Sequence, residues 1–315
     1  MNARVSPSAS RCFEPFLDPI DGVVCLPAEV TAGAIAAWAE PHRLRFPLLL
    51  DADAPLRTQV NAASYAPASS RFGPFCDNIL GMNWKLPNSA VVRIGERVVK
   101  TTTGYDLFRF LLHSGERFGR PLDYVLRLRP ACELHGSFLL TGDPVQLRSS
   151  VAALLKTCWM HWFDSVDLIA QDGTAQLRIA VNCPVPEWPL FETFVSSFAA
   201  RQDLTCRADR DASPPLDGCP DLTLKTTPEH AAELTLAVAT QYRIRCVGLC
   251  GPGVVHGYLA DGPSPDQPLN DIIREFGAAL QAIGGDCHSR HLPPILPSAV
   301  EGAWIETLKK ESTSL

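Results

Sequence analysis

The chain has 315 residues, 46% of them hydrophobic and 20% charged, with a formal net charge of −6. That balance is ordinary for a globular protein long enough for two domains, and it argues against a broad nucleic-acid surface, which needs a basic excess. No apolar run approaches the roughly 20 residues of a membrane-spanning helix.

Taken in chain order, residues 1–20 read as a poorly ordered tail. Its opening, MNARVSPSASRCF, has Arg4 and Arg11 but no apolar run behind them. It is therefore not a secretory signal, and the cytoplasm is the expected location. A strand at 22–27 and a helix at 30–38 follow, then a long irregular segment, 51–78, of the length that tends to be functional. Strands are expected at 91–94 and 98–102, a helix at 105–113, and an alternating strand at 124–128. Short strands with few helices suit an α+β domain with an antiparallel sheet.

From residue 132 the pattern changes. A strand at 134–140 leads to Asp143-Pro144, an N-cap followed by proline at the first helical position. The apolar stripe expected on that helix is Val145, Val151, Leu154 and Leu155. Strands at 165–170 and 175–181 are joined by an Asp172-Gly173 turn, and a helix at 186–201 follows. This β-α-β-β-α order resembles half of a ferredoxin-like fold. Further strands are expected at 222–226, 243–248 and 254–259, with helices at 228–240 and 269–283, the latter stopped by Gly284-Gly285. The stretches 207–220 and 261–268, rich in Asp, Pro, Ser and Gly, read as surface loops. The aromatic run Trp159, His161, Trp162 and Phe163 is expected to pack this region against a neighbour.

Eleven scattered cysteines with no secretory signal argue for reduced thiols, most of them small core residues. Cys246 with Cys250, and Cys287 with His288 and His291, approach zinc spacing but lack a matching second pair, so no metal site is expected. His256 on a strand reads more readily as a hydrogen-bonded core residue than as a substrate-facing group. Walker, nucleophile-elbow, His-Glu-x-x-His and Rossmann motifs are absent from the sequence.

The segment RVVKTTTGYDLFRFLLHSGERFGRPLDYVLRLRP, from Arg97 to Pro130, carries a resemblance. Its order of lysine, Thr-Gly-Tyr-Asp, helix, Ser/Gly turn and Leu-Arg-Leu-Arg-Pro strand resembles the closing part of the FAD-binding domain in flavoproteins of the vanillyl-alcohol-oxidase/p-cresol-methylhydroxylase (VAO/PCMH) type. It is most similar to the FAD-binding subunit of bacterial glycolate oxidase. Upstream, RFGPFCDNILGM, from Arg71 to Met82, resembles the family's Arg-x-Gly-x-x-x-Asp-x-Val-Leu-Gly element. Downstream, GPGVVH, ending at His256, resembles a Gly-x-Gly-x-x-His that precedes a strand.

The resemblance implies a tail (1–20), a partial PCMH-type FAD-binding domain (21–131) and a ferredoxin-like cap with the C-terminal α+β region (132–315). It implies FAD as cofactor, contacted by Arg71, Gly73, Asp77, Asn78, Gly81, Lys100, Gly104, Tyr105, Ser114 and Gly119, with Asp106 capping the following helix. It also implies oxidation of a small 2-hydroxy acid alongside a catalytic or electron-transfer partner. Catalytic residues are not assigned.

The departures point elsewhere. The family's Gly-rich phosphate loop, whose amides line an anion site, belongs to a subdomain expected to be missing here. The family's Thr-x-Gly-Gly run is replaced within Leu56-Arg-Thr-Gln-Val-Asn61. In the Gly-Ser-x-Gly-Thr-Leu-Gly turn only Ser114 and Gly119 survive. The alternative expectation is therefore a degenerate, flavin-free member acting as a structural or interaction subunit.

Overall fold

The structure is a computed structural model that describes residues 15–95, 107–112, 114, 116–210, 217–259, 271–272, 274–275 and 286–289. Its described residues divide into two compact units: 15–64 with 75–130, and 65–74 with those from 131 to 289.

In chain order the first stretch holds β1 (Phe16–Asp18), β2 (Val23–Pro27), α1 (Ala32–Ala39), β3 (Leu44–Arg45), α2 (Leu56–Ala62), α3 (Ser69–Phe72), α4 (Phe75–Asn78), β4 (Ile79–Lys85), β5 (Val91–Gly95), α5 (Leu107–Leu112), β6 (Arg120–Arg127) and β7 (Arg129–Pro130). All but α3 belong to the first unit. The sheet runs β1-β2-β6-β4-β5, antiparallel throughout, beside a two-stranded β3-β7 ladder.

Strand β1 lies inside the stretch that the sequence leaves as a tail. The segment expected to be irregular, 51–78, instead contains three short helices. One buried side chain explains much of that order. The Gln59 Oε1 accepts from the amides of Leu50 and Asp51, and its Nε2 donates to the carbonyls of Asp51 and Ala54. A local amide supplies the backbone partners that a sheet would otherwise provide.

The second unit contains α3, β8 (Leu134–Thr141), α6 (Pro144–Leu155), β9 (Ser165–Gln171), β10 (Thr174–Cys183), α7 (Trp188–Arg201), β11 (Thr205–Asp209), β12 (Leu222–Lys225), α8 (Pro228–Tyr242), β13 (Arg245–Leu249), β14 (Val254–Tyr258) and β15 (Asp286–Ser289). The sheet order is β11-β8-β10-β9-β13-β14-β12-β15. The run β8-α6-β9-β10-α7-β11 is a complete split β-α-β-β-α-β motif. The run β12-α8-β13-β14, closed by β15, repeats its strand order in mirror sequence across the β9–β13 pairing.

Alternation along the strands gives this sheet two unlike faces. One presents Phe138, Leu140, Leu168, Leu177, Ile179 and Val181 to the buried cluster that includes Leu147, Val151, Leu154, Phe191, Val195 and Phe198 of α6 and α7. Under α8, Leu222, Leu224, Cys246 and Val255 meet Leu234 and Val238. The other face carries Asp167, Arg178, Arg245, His256 and Thr223.

Local signals set these helices. Asp143 caps α6 as expected, within a reciprocal box in which Gln146 reaches back to the Asp143 amide. The buried stripe is Leu147, Val151 and Leu154, while Val145 is 64% exposed; at about 3.6 residues per turn Val145 falls on the side of the helix opposite Leu154. The β9–β10 hairpin closes on Asp172 (φ 50°) and Gly173 (φ 78°), both left-handed, as its two-residue turn requires. Of the aromatic run, Phe163 is fully buried, Trp159 stacks on Phe194 at 4.5 Å between centroids, and Trp162 is 56% exposed. Among the described residues, no helix is long and apolar enough to cross a membrane.

Candidate functional site

Of the ten residues implied by the resemblance, Lys100, Gly104 and Tyr105, and with them Asp106, lie outside the described residues. Five fall in the first unit: Asp77, Asn78, Gly81, Ser114 and Gly119. Two, Arg71 and Gly73, fall in the second.

In the first unit, α4 delivers Asp77 to Arg109 of α5, whose Nη2 donates to its Oδ1 at 2.6 Å across an exposed surface. Asn78 is fully buried, and its Oδ1 accepts from Arg129 Nη2 at 3.1 Å. Gly81 on β4 stands opposite Gly95 on β5; a Cβ on Gly95 would come within 2.7 Å of the Gly81 Cα, so this pair packs backbone against backbone. Ser114 donates its hydroxyl to the Leu111 carbonyl at 2.7 Å. Gly119, at φ 119°, lies on the Lys85 carbonyl so closely that a Cβ would collide with it. Gly22 and Gly33 likewise face the carbonyls of Leu128 and Ala52.

Residues that sequence reasoning did not single out tie this unit together. Glu116, in the turn leading to β6, accepts from Arg57 Nη1 at 2.9 and 3.1 Å and from Asn61 Nδ2 at 2.6 Å. Arg57 Nε lies 2.8 Å from Glu29. The Glu116 hydrogen bond, together with the charges of Glu116 and Glu29, raises the pKa of Arg57 against its partial burial. The first amides of α2 are also engaged: Leu56 N donates to the Val30 carbonyl and Arg57 N to that of Ala28, each at 2.9 Å. The replaced Thr-x-Gly-Gly glycines and the altered turn from Ser114 to Gly119 were its signals in the sequence.

In the second unit, Gly73 (φ 77°) ends α3, the left-handed position glycine fills most readily. Arg71 Nη1 donates to Asp164 at 2.9 Å, and its guanidinium lies over the Phe72 ring.

A larger polar cluster crosses the β9–β13 seam. Arg178 donates to Asp167 and to Asp217, and Arg245 reaches the other oxygen of Asp217. Burial pushes the Asp167 carboxyl up to about 6 against the pull of Arg178. Burial would raise Asp217 as well, but hydrogen bonds and charge from Arg178 and Arg245 hold it below the usual range. His256, 1% exposed, is pushed down to about 4 by burial, which keeps its imidazole neutral near pH 7. His256 pairs with Thr223 across the β14–β12 ladder. Two carboxylates against two guanidiniums make the seam electrically balanced, so it exerts little net attraction on an anion. No spacing in the sequence marks this cluster, because its members come from four separate segments.

The class this fold defines is the VAO-type flavoprotein fold, mixed helix and antiparallel sheet. A VAO-type flavoprotein from Myceliophthora thermophila C1 superposes on 93% of this chain with a TM-score of 0.65 at 15% identity, the match covering 65% of that protein. A chitooligosaccharide oxidase matches 96% of the chain (TM-score 0.67, 11% identity, 78% of its own length). A xylooligosaccharide oxidase from Myceliophthora thermophila C1 also matches 96% (0.64, 14%, 77%). In sequence, an uncharacterised FAD-linked oxidoreductase of Mycobacterium tuberculosis is 24% identical over 116 residues, 35% of this chain. The matched part spans a quarter of the length of that relative. No family model matches.

Proposed function

We propose that this chain is a subunit of a VAO-type FAD-linked oxidoreductase, serving the oxidation of a small 2-hydroxy acid of the glycolate class beside a catalytic or electron-transfer partner in the cytoplasm. One observation carries the reading: the VAO-type fold extends over more than nine-tenths of the chain. The FAD-linked relative and the glycolate-oxidase-like Arg97–Pro130 segment support it. In that chemistry FAD accepts the hydride, and the protein supplies orientation and electrostatics.

The described residues of this chain fit FAD poorly. A dinucleotide diphosphate needs free amides and glycine-lined space. Among the described residues of the first unit, Gly95 and Gly119 are closed by the chain's own backbone. The leading amides of α2 are taken by Val30 and Ala28. In the second unit Arg178 and Arg245, cations of the kind that clamp a substrate carboxylate, are already neutralised by Asp167 and Asp217. We therefore favour the accessory version of this role: the fold is kept without bound flavin, and the partner carries the redox step.

The test is the absorbance spectrum of the purified chain after incubation with FAD and desalting, followed by dye reduction with glycolate when the flavin-bearing partner is added. A colourless chain that raises the partner's activity is the expected result. Stoichiometric flavin bands that survive desalting would make the chain a flavoprotein in its own right, and no effect on any partner's 2-hydroxy-acid oxidation would remove the subunit role.

A further inference from the structure

The α2 edge of the first unit lies where two segments depart from the motifs they resemble: Leu56-Arg-Thr-Gln-Val-Asn61 and the turn from Ser114 to Gly119. They are joined to each other. Arg57 and Asn61, one turn apart on α2, both direct side-chain N–H groups onto the Glu116 carboxylate. A cation and an amide converging on a carboxylate form the donor set that a phosphate oxygen would use. We infer that Glu116 is a built-in anion that occupies this donor set, so that the edge excludes the diphosphate of a dinucleotide instead of binding it. This inference rests on the accessory, flavin-free reading above and names the residue responsible for it.

Three observations support it independently. The first is charge: Arg57 contributes one positive charge, and Glu29 and Glu116 contribute two negative ones within hydrogen-bonding reach of it. An arriving diphosphate therefore meets a net negative edge, where the resemblance implies neutral glycines. The second is backbone. Glu116 sits at φ +65°, a conformation that costs most side chains energy and suits glycine. A glutamate is held there because its carboxylate closes the clamp. The third is burial. The side chains of Arg57 and Glu116 are 27% and 23% exposed, so the pair is partly shielded from water, and Coulomb attraction there is stronger than on an open surface.

The test uses the full chain with FAD, followed by flavin fluorescence polarisation, and with ADP as a competitor that shares the diphosphate but lacks the flavin ring. Wild type is compared with Glu116→Gly, which the left-handed backbone accommodates, and with Glu116→Gln, which keeps the acceptor and removes the charge. Circular dichroism confirms that each variant is folded. Wild type is expected to show no saturable binding. Glu116→Gly is expected to show saturable FAD binding, with ADP competing. Glu116→Gln should fall between the two.

Saturable FAD binding by wild type overturns the inference, and so does a Glu116→Gly protein that binds no better than wild type. Failure of the subunit role shows separately, as a lack of partner-dependent dye reduction, and leaves these binding curves unchanged.

Discussion

At the scale of single residues, the buried polar groups of the second unit decide how the protein responds to pH. His256 has its folded pKa depressed from 6.5 to about 4 by burial. Its contribution to stability is therefore fully present above pH 6.5 and is lost as the pH falls toward 4. Asp167 has its pKa raised to about 6 by burial. Protonation favours its folded form, so it offsets part of that loss between about pH 6 and pH 4. Replacing His256 with Gln should remove the histidine part alone. Urea melts at pH 7 and pH 4.5 should show wild type losing about 2 kcal/mol more than His256→Gln over that interval. Equal losses would mean that His256 is not held neutral in the fold. Asp217 bridges both arginines at 7% side-chain exposure. Asp217→Ala should cost about 3 kcal/mol at pH 7, because two partly buried guanidiniums lose their shared counter-ion; a cost under about 1 kcal/mol would mean water replaces the carboxylate without penalty.

At the scale of elements, the helices were more legible than the strand faces. Asp143-Pro144 and the Asp172-Gly173 turn are local chemistry, and both fall where the sequence places them. The α6 stripe shows the limit: Val145 is apolar, but its place nine residues before Leu154 puts it on the opposite side of the helix, where it is exposed. Close approach is equally invisible in one dimension. Gly136 on β8 lies under Trp188 of α7, whose ring stacks on Phe138 at 4.7 Å between centroids. A Cβ on Gly136 would collide with that ring. Gly136→Ala should therefore destabilise by about 1–3 kcal/mol through overpacking, read as a lower thermal midpoint with an altered near-ultraviolet signal from Trp188. An unchanged signal would mean that the ring has room to move.

At the scale of the whole molecule, the second unit is assembled from discontinuous sequence. Residues 65–74 leave the first unit, lay Tyr65 against Val247, Leu249 and Val254, bring Arg71 to Asp164, and return at Phe75. Ser70 sits directly on Gly251, where a Cβ would strike it. Gly251→Val should lift that segment, and limited proteolysis within 65–74 should be at least several-fold faster than in wild type. An unchanged digestion rate would mean that Ser70 and Gly251 do not set the seating of the segment. The sequence placed residues 65–74 with the first domain because they are contiguous with it; only contacts assign them to the second.

Taken alone, the sequence determined the class of fold and most of the element order, because hydrophobic period, caps and turns are properties of a few neighbouring residues. It also marked the α2 run and the 114–119 turn as departures. What those departures do depends on residues 55 and 59 positions apart in the chain: Asn61 and Arg57 meet Glu116. The seam of Asp167, Arg178, Asp217 and Arg245, and the burial that keeps His256 neutral, likewise exist only once strands from different halves of the unit lie side by side. Local propensity is written in short windows, whereas charge neutralisation, close packing and desolvation depend on distances that only the folded chain sets.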